Sequence, residues 1–242
     1  MENDTLKSLV QEERARKEAT GETILIPNPF DDSDRLGVKQ ELYNTYAGEY
    51  ERRTESGLIL FERELRLFRD LTPDLRVIDL GSGPGRDANY LSHLGLHPLC
   101  CDFSIEMLRR CEDRCLETRL MNYETDLELF EDNSLGGLWT NCSLTTTPQS
   151  KIRDILREIY RILMPGAPAY FGFIEAKDYA EGWVNPDFKY SLPRFRFRAN
   201  RAYIKRLIEE QGFDVIHFDV IPKETSGKNT YVKYVCLKPY SR

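Results

Sequence analysis

Short apolar runs alternate with amphipathic stretches along most of the chain. Seven runs of strand length occupy residues 76–80, 97–101, 119–123, 136–140, 168–174, 214–221 and 230–237. Most are separated by helical patterns at 86–94, 104–116, 149–163 and 200–211. Strands joined by helices favour a parallel sheet, whereas the last two runs are joined only by a hairpin at 222–229. We therefore predict an α/β fold with a doubly wound, mainly parallel seven-stranded sheet and an antiparallel last strand.

The N-terminal part departs from this alternation. Residues 4–18 show a polar helical pattern, and two prolines then interrupt residues 24–32. Residues 1–38 are therefore predicted to form an arm or lid, and residues 39–242 to form one domain. Two helical patterns between residues 39 and 70 open this domain.

Composition and charge narrow the functional classes. The 242 residues carry 34 Lys and Arg against 40 Asp and Glu, a formal charge of −6, so a nucleic-acid partner is disfavoured. No apolar run approaches the roughly 20 residues that cross a bilayer, and the N-terminus lacks a signal-peptide pattern. We expect a cytoplasmic protein without a membrane partner. The six cysteines lack zinc spacing, so no metal is expected.

The strongest local signal follows the first apolar run, where the sequence reads VIDLGSGPGRD at 77–87. Its glycines let the backbone approach a ligand closely. Dinucleotide-binding loops use G-x-G-x-x-G and place a pyrophosphate at the helix N-terminus. Here the spacing is G-x-G-x-G with an acid two residues earlier, which suits a ligand with an ammonium group, such as S-adenosylmethionine. The alternative is a turn that only packs helix against strand. The candidate residues are Asp79, Gly81, Ser82, Gly83 and Gly85.

A second signal closes the next run, where Asp102 lies 21 residues after Gly81. Nucleoside-binding folds place an acid about 20 residues after the glycine loop, where it accepts hydrogen bonds from ribose hydroxyls. Phe103 would then flank the adenine. The alternative role for Asp102 is a helix N-cap, but Ser104 can supply that cap itself.

Four motifs, in order, resemble those of the class I S-adenosylmethionine-dependent methyltransferases. They are residues 79–87, residues 102–104, the acidic turn within 130–139 and the Leu-Met-Pro-Gly turn at 163–166. The resemblance covers residues 40–238 and is closest to small stand-alone members that act on small molecules. It implies a Rossmann-like methyltransferase fold, S-adenosylmethionine as cofactor, S-adenosylhomocysteine as product and a small-molecule acceptor.

The resemblance also implies further cofactor contacts. The end of the third strand contacts adenine in the family, usually through an acid and an apolar residue. This chain has Asn122 and Tyr123 there, with Glu124 and Asp126 nearby. Residues 140–143, beginning with Thr140 and Asn141, would lie under the methionine arm.

Acceptor residues are suggested by three segments. Relatives carry a Tyr-x-x-x-Ala-x-x-Tyr segment over the cofactor, which matches Tyr43 to Tyr50, although a core helix face explains the tyrosines equally well. Relatives often have a histidine shortly after residue 143, where this chain has three threonines from Thr145, so no catalytic residue is assigned. The alternation at 194–198 predicts a strand with Arg194 and Arg196 on one face. If this strand borders the acceptor, the acceptor is an anion; a solvated face is the alternative.

These observations predict methyl transfer from S-adenosylmethionine to a small molecule. One alternative is a methyltransferase-like protein that binds the cofactor without turnover. The other is a nucleotide-dependent oxidoreductase, which the glycine spacing and the antiparallel last strand disfavour. The sequence does not indicate an oligomeric state.

Overall fold

The computed structural model describes residues 34–177, 179–184, 193–227 and 229–240. The described helices are α1 Arg35–Thr45, α2 Ala47–Thr54, α3 Glu62–Leu71, α4 Arg86–His93, α5 Ile105–Asp113, α6 Gln149–Ile162, α7 Arg201–Glu209 and α8 Lys223–Ser226. The described strands are β1 Arg76–Leu80, β2 His97–Asp102, β3 Glu117–Leu120, β4 Gly137–Asn141, β5 Pro168–Ile174, β6 Ala180–Val184, β7 Arg194–Arg198, β8 Asp214–Ile221 and β9 Tyr231–Leu237. The helical pattern at 4–18 and the prolines of the predicted arm lie outside the described residues, and α1 runs across the predicted boundary at residue 38.

Seven strands form the main sheet in the order β3-β2-β1-β4-β5-β9-β8. The strands β1 to β5 pair in parallel, and β9 lies antiparallel between β5 and β8. The predicted doubly wound sheet with an antiparallel last strand is therefore confirmed. Its order reverses between β1 and β4, which creates a crevice at their carboxyl ends.

Helices that carry an apolar stripe cover both faces of the sheet. On α6, the buried stripe repeats at helical spacing through Ile152, Ile155 and Ile159, and it packs with α7 against one face. On the other face, Phe68 of α3 and Leu91 of α4 pack around Trp139 of β4. With both faces covered, all seven residues of β5 are buried.

The third strand begins and ends earlier than the sequence predicts. Its observed range is Glu117–Leu120 rather than 119–123. The backbone of Asn122 donates to Asp126 Oδ2 at 2.8 Å, and Asn122 Oδ1 accepts from the Glu124 backbone at 3.0 Å. These side-chain bonds close a turn that competes with the sheet ladder, so the strand stops before residue 122.

A separate ribbon accompanies the main sheet. The predicted strand at 194–198 is confirmed as β7, but its antiparallel partner β6 was missing from the prediction. The phenylalanines face inward, since Phe197 is fully buried, whereas Arg194 and Arg196 are only partly buried. The ribbon packs its β7 strand beside the turn at Leu144–Thr146, just beyond β4.

Candidate active site

A cleft with an empty volume of about 420 Å³ opens where β1 and β4 end. The residues that line it are Lys39, Tyr43, Tyr50, Gly81, Gly83, Asp102, Phe103, Met107, Tyr123, Asn141, Cys142, Ser143 and Thr146.

The cleft brings together about half of the residues that the sequence singled out. The predicted residues on its wall are Tyr43, Gly81, Gly83, Asp102, Phe103, Tyr123 and Asn141. The predicted residues that do not line it are Asp79, Ser82, Gly85, Asn122, Thr140, Thr145, Arg194 and Arg196. Lys39 and Met107 line the cleft but were not predicted, because a lysine and a core methionine carry no local signal of a site.

The loop after β1 depends on its glycines. Gly81, Gly83 and Gly85 have φ angles of +69°, +55° and +80°, which side chains resist. A Cβ at Gly81 would also collide with Ser143 Oγ, which donates to the Gly81 carbonyl at 2.9 Å. The loop is thereby held against the end of β4, with its backbone facing the cleft.

Asp102 fixes this loop from the neighbouring strand. Its Oδ2 accepts from the Gly83 backbone at 3.0 Å, and its Oδ1 accepts from the Ser104 backbone at 2.9 Å. The N-cap of α5 is Ser104, whose Oγ accepts from the Met107 backbone at 3.3 Å. Burial raises the pKa of Asp102 despite these bonds. The carboxylate therefore clamps the loop and remains on the cleft wall.

Asp79 lies behind the loop as a buried, uncompensated acid. Its Oδ2 has no hydrogen-bond partner among the described residues. Burial, then the nearby Asp87 and Cys111, raise the pKa of Asp79 well above its ordinary value. A cationic ligand at the glycine loop would stabilise the ionised form of this acid and would itself be stabilised by it.

Asp87 orients the amide of Asn141. Burial alone would raise the pKa of Asp87, but the bonds from Arg86, Asn141 and Trp139 outweigh it and keep the carboxyl ionised. Asn141 Nδ2 donates to Asp87 Oδ2 at 2.9 Å, which turns Asn141 Oδ1 away. That oxygen has no partner in the described part of the chain. It is therefore an unpaired hydrogen-bond acceptor, for which an ammonium group is a suitable donor.

Aromatic rings form one wall of the cleft. The rings of Tyr43 and Phe103 meet edge to face at 6.1 Å, and those of Tyr43 and Tyr50 meet at 5.8 Å. Tyr123, across from Phe103, donates its hydroxyl to the Ser143 carbonyl at 2.9 Å. Asn122, beside it, uses its amide oxygen in the local turn.

Beyond β4, Arg196 lies outside the lining of the cleft but close to Cys142, which is part of it. Cys142 has a φ of +63°, and burial raises the pKa of its thiol to about 12 despite Arg196 and Arg86 nearby. Arg196 Nη1 donates to Thr145 Oγ1 at 3.1 Å and has no carboxylate within 4.0 Å among the described residues. Burial also raises the pKa of Tyr50. Positive charge therefore lies beside this part of the cleft, whereas neither Cys142 nor Tyr50 is a base near neutral pH.

The threonines after β4 are occupied by local bonds. Thr145 Oγ1 donates to the Cys142 carbonyl at 2.5 Å, and Thr146 Oγ1 donates to the Ser143 carbonyl at 2.8 Å. Thr147 Oγ1 lies 3.0 Å from the Tyr123 hydroxyl. These hydroxyls support the turn instead of facing the cleft as free groups. Thr140 is buried within β4, and its hydroxyl has no partner among the residues described.

The described residues contain neither a metal-binding cluster nor a membrane-spanning helix. No group of three or more His, Cys, Asp or Glu side chains there is arranged to hold a metal ion. No helix in the same ranges is both long and apolar enough to cross a membrane.

Comparison with known proteins shows a similarity to methyltransferases. Residues 77–166 match a family described as "Methyltransferase domain". The fold matches the solved 1,6-didemethyltoxoflavin-N1-methyltransferase of Burkholderia thailandensis with a TM-score of 0.67 over 90% of this chain and 95% of that one, at 14% identity. Its crystals contain 1,6-didemethyltoxoflavin and S-adenosylhomocysteine. The chain is therefore similar in fold to this methyltransferase, and its residues 77–166 are similar in sequence to a methyltransferase domain.

Two curated relatives carry a more specific name, malonyl-[acyl-carrier protein] O-methyltransferase. The Salmonella typhimurium protein is 26% identical over 142 residues, covering 57% of this chain and 51% of the relative. The Erwinia billingiae protein is 27% identical over 165 residues, covering 66% of this chain and 61% of the relative. The match thus spans about half to three fifths of each relative's length.

Proposed function

We propose that this protein binds S-adenosylmethionine in the cleft and transfers its methyl group to a carboxylate oxygen of a small, anionic acceptor. The observation that carries the proposal is the glycine loop at the β1/β4 crevice, clamped by Asp102 and backed by Asp79. This arrangement suits a nucleoside with a positively charged tail and would repel a pyrophosphate.

The residues on the cleft wall fit the cofactor group by group. The Asp102 carboxylate accepts two backbone hydrogen bonds and has further lone pairs that can accept hydrogen bonds from the ribose hydroxyls. Asn141 Oδ1 is an unpartnered acceptor for the methionine ammonium. Phe103 and Tyr123 offer ring faces to the adenine. Glycines in the loop allow the backbone amides to approach the cofactor closely.

The chemistry of methyl transfer places few demands on the protein. Bound S-adenosylmethionine supplies a methyl group on a positively charged sulfur. Alignment of the acceptor and exclusion of water are the remaining requirements, and alignment alone is worth on the order of 7–11 kcal/mol. The walls formed by Tyr43, Tyr50 and Ser143 are suited to this task.

The proposed acceptor class follows from the positive charge of Arg196 beside the cleft. Burial keeps Cys142 and Tyr50 protonated at neutral pH, so neither removes a proton from an acceptor. A carboxylate needs no deprotonation, and Arg196 supplies a planar cation that matches it. The curated relatives, whose name describes O-methylation of a malonyl group, support the same acceptor class.

A labelled methyl-transfer assay tests this proposal. The full chain is incubated with methyl-labelled S-adenosylmethionine and either a malonyl thioester or the matched acetyl thioester, which lacks the free carboxylate. We expect label only in the malonyl product, and mild alkali should release it as methanol because it is a methyl ester. Alkali-stable label, or equal label in the acetyl thioester, would contradict carboxylate methylation.

A protein that binds the cofactor without turnover is the second candidate. It is favoured by one observation, the engagement of Thr145, Thr146 and Thr147 in local bonds at the position where relatives often have a histidine. Binding of S-adenosylhomocysteine without transfer to any carboxylate acceptor in a cell extract would support this second candidate.

A further inference from the structure

Lys39 occupies a slot between two aromatic rings of the cleft, although lysines are rarely buried. Its Nζ lies 4.8 Å from the ring centroid of Phe103 and 4.9 Å from that of Tyr123. The side chain is only 9% exposed. An ammonium over a ring face is attracted by the negative face of the ring. The slot between these rings is therefore already filled by a cation from the chain itself.

Polar contacts hold the ammonium of Lys39 in this slot. Nζ donates to the Tyr123 hydroxyl at 3.2 Å and lies 3.9 Å from Glu124 Oε1. Arg35, one turn earlier on α1, pairs with the same carboxylate. Burial would raise the pKa of Glu124, but the bond from Arg35 and the charge of Lys39 outweigh it and lower the pKa. Glu124 is thus an ionised anchor at the edge of the slot.

The helix that carries Lys39 is fastened to the same wall. Gln40 Nε2 donates to the Phe103 carbonyl at 2.7 Å. Asn44 Oδ1 accepts from Ser104 Oγ at 2.7 Å, immediately after Phe103. With Arg35 bound to Glu124, α1 bridges the loops after β2 and β3. These bonds fix the position of Lys39 more tightly than that of a surface side chain.

We propose that Lys39 is an internal competitor for the adenosine slot, and that its withdrawal controls how fast the cofactor binds. The inference rests on the proposed function, because it takes Phe103 and Tyr123 as the residues that flank adenine. An ammonium and a purine ring cannot both lie between these two rings at the observed distances. Glu124 gives the displaced ammonium a partner that is already close.

The expected kinetic signature follows from this competition. If only the fraction of molecules with Lys39 withdrawn accepts the ligand, the apparent affinity falls by that fraction. Removing the competitor should therefore speed association and leave dissociation unchanged. A residue that binds the cofactor directly would produce the opposite result, faster dissociation and weaker binding.

Surface plasmon resonance with S-adenosylhomocysteine over the immobilised full chain tests the inference. Lys39→Ala empties the slot, and Lys39→Met keeps the chain length without the charge. Both are expected to raise the association rate constant at least about fivefold, with dissociation within about twofold of the original protein. Lys39→Arg retains a cation and should not bind faster. Lys151→Ala removes an exposed cation from the same Glu124 and serves as the control.

The outcomes separate the inference from the proposed function. Thermal unfolding without ligand identifies any variant that does not fold. If Lys39→Ala does not fold, the association rate of Lys39→Met decides. Unchanged or slower association in a folded, uncharged variant overturns the inference while the proposed function stands. No binding by the original protein defeats the proposed function and the inference together.

Discussion

At the scale of single residues, two buried acids near the cleft differ in the hydrogen bonds that they accept. Asp79 is a buried carboxylate with an unpartnered oxygen, whereas Asp87 is nearly as buried but accepts three bonds. The pKa shifts therefore run in opposite directions, raised for Asp79 and lowered for Asp87. We infer that Asp79 is retained for the ligand, because it weakens the ligand-free fold.

Replacing Asp79 should expose this conflict between stability and binding. Its pKa in the folded state lies above the unfolded value of 3.8, so the stability linked to its neutral form is lost as pH rises through the folded pKa. Asp79→Asn should therefore raise the free energy of unfolding at pH 8 by on the order of 1–3 kcal/mol, and by less near pH 4. Chemical denaturation at both pH values measures this difference.

The matched control is Asp113→Asn, because Asp113 is exposed at the end of α5. That substitution should leave the free energy of unfolding within about 0.5 kcal/mol of the original protein. A lower free energy of unfolding for Asp79→Asn at pH 8 would contradict this explanation, because it would show that the carboxylate stabilises the ligand-free protein.

At the scale of elements, the β6–β7 ribbon places the cation of Arg196 beside the cleft. The ribbon is separate from the main sheet, yet β7 packs against the turn at Leu144–Thr146 that follows β4. Arg196 reaches Thr145 in that turn, so the ribbon brings a cation to the turn. The glycine loop and Asp102, by contrast, come from β1 and β2. The proposed cofactor and acceptor contacts thus come from different elements.

This division predicts separable effects of substitution. Arg196→Ala should raise the KM for a carboxylate acceptor by about 10- to 150-fold, because a charge-assisted hydrogen bond is worth about 1.5–3 kcal/mol. The affinity for S-adenosylhomocysteine should change by less than about twofold. Steady-state kinetics and calorimetry measure the two effects. Lys205→Ala removes a cation from the exposed side of α7 as the control. Equal losses in both measurements would refute the division.

At the scale of the whole molecule, burial determines how much of the fold the sequence reveals. Strands covered on both faces read as continuous apolar runs, so β1, β4 and β5 were predicted almost to the residue. The third strand lies at the sheet edge with mostly exposed residues, and the apolar pattern therefore shifted its predicted range. The ribbon partner β6 contains Gly182 and lacks clear alternation, which hid it.

Part of the candidate site was also predictable from the sequence, and part was not. The glycine loop and Asp102 were predictable because their spacing along the chain reflects the geometry of one strand–loop–helix unit and its neighbour. Lys39 was not, since its burial arises from contacts with Tyr123 and Glu124, more than 80 residues away in sequence. The amide of Asn122 was expected at the adenine, but it is engaged in a local turn that no spacing rule indicates. Contacts between distant segments thus limit what the sequence predicts.

The central claim is that the crevice between β1 and β4 binds S-adenosylmethionine through Asp102, and calorimetric titration with S-adenosylhomocysteine tests it most directly. We predict saturable binding to the original protein and no binding of NAD. Asp102→Ala should weaken S-adenosylhomocysteine binding by about 5- to 150-fold, equivalent to about 1–3 kcal/mol. Absence of saturable binding, or unchanged affinity in a folded Asp102→Ala protein, would contradict the account.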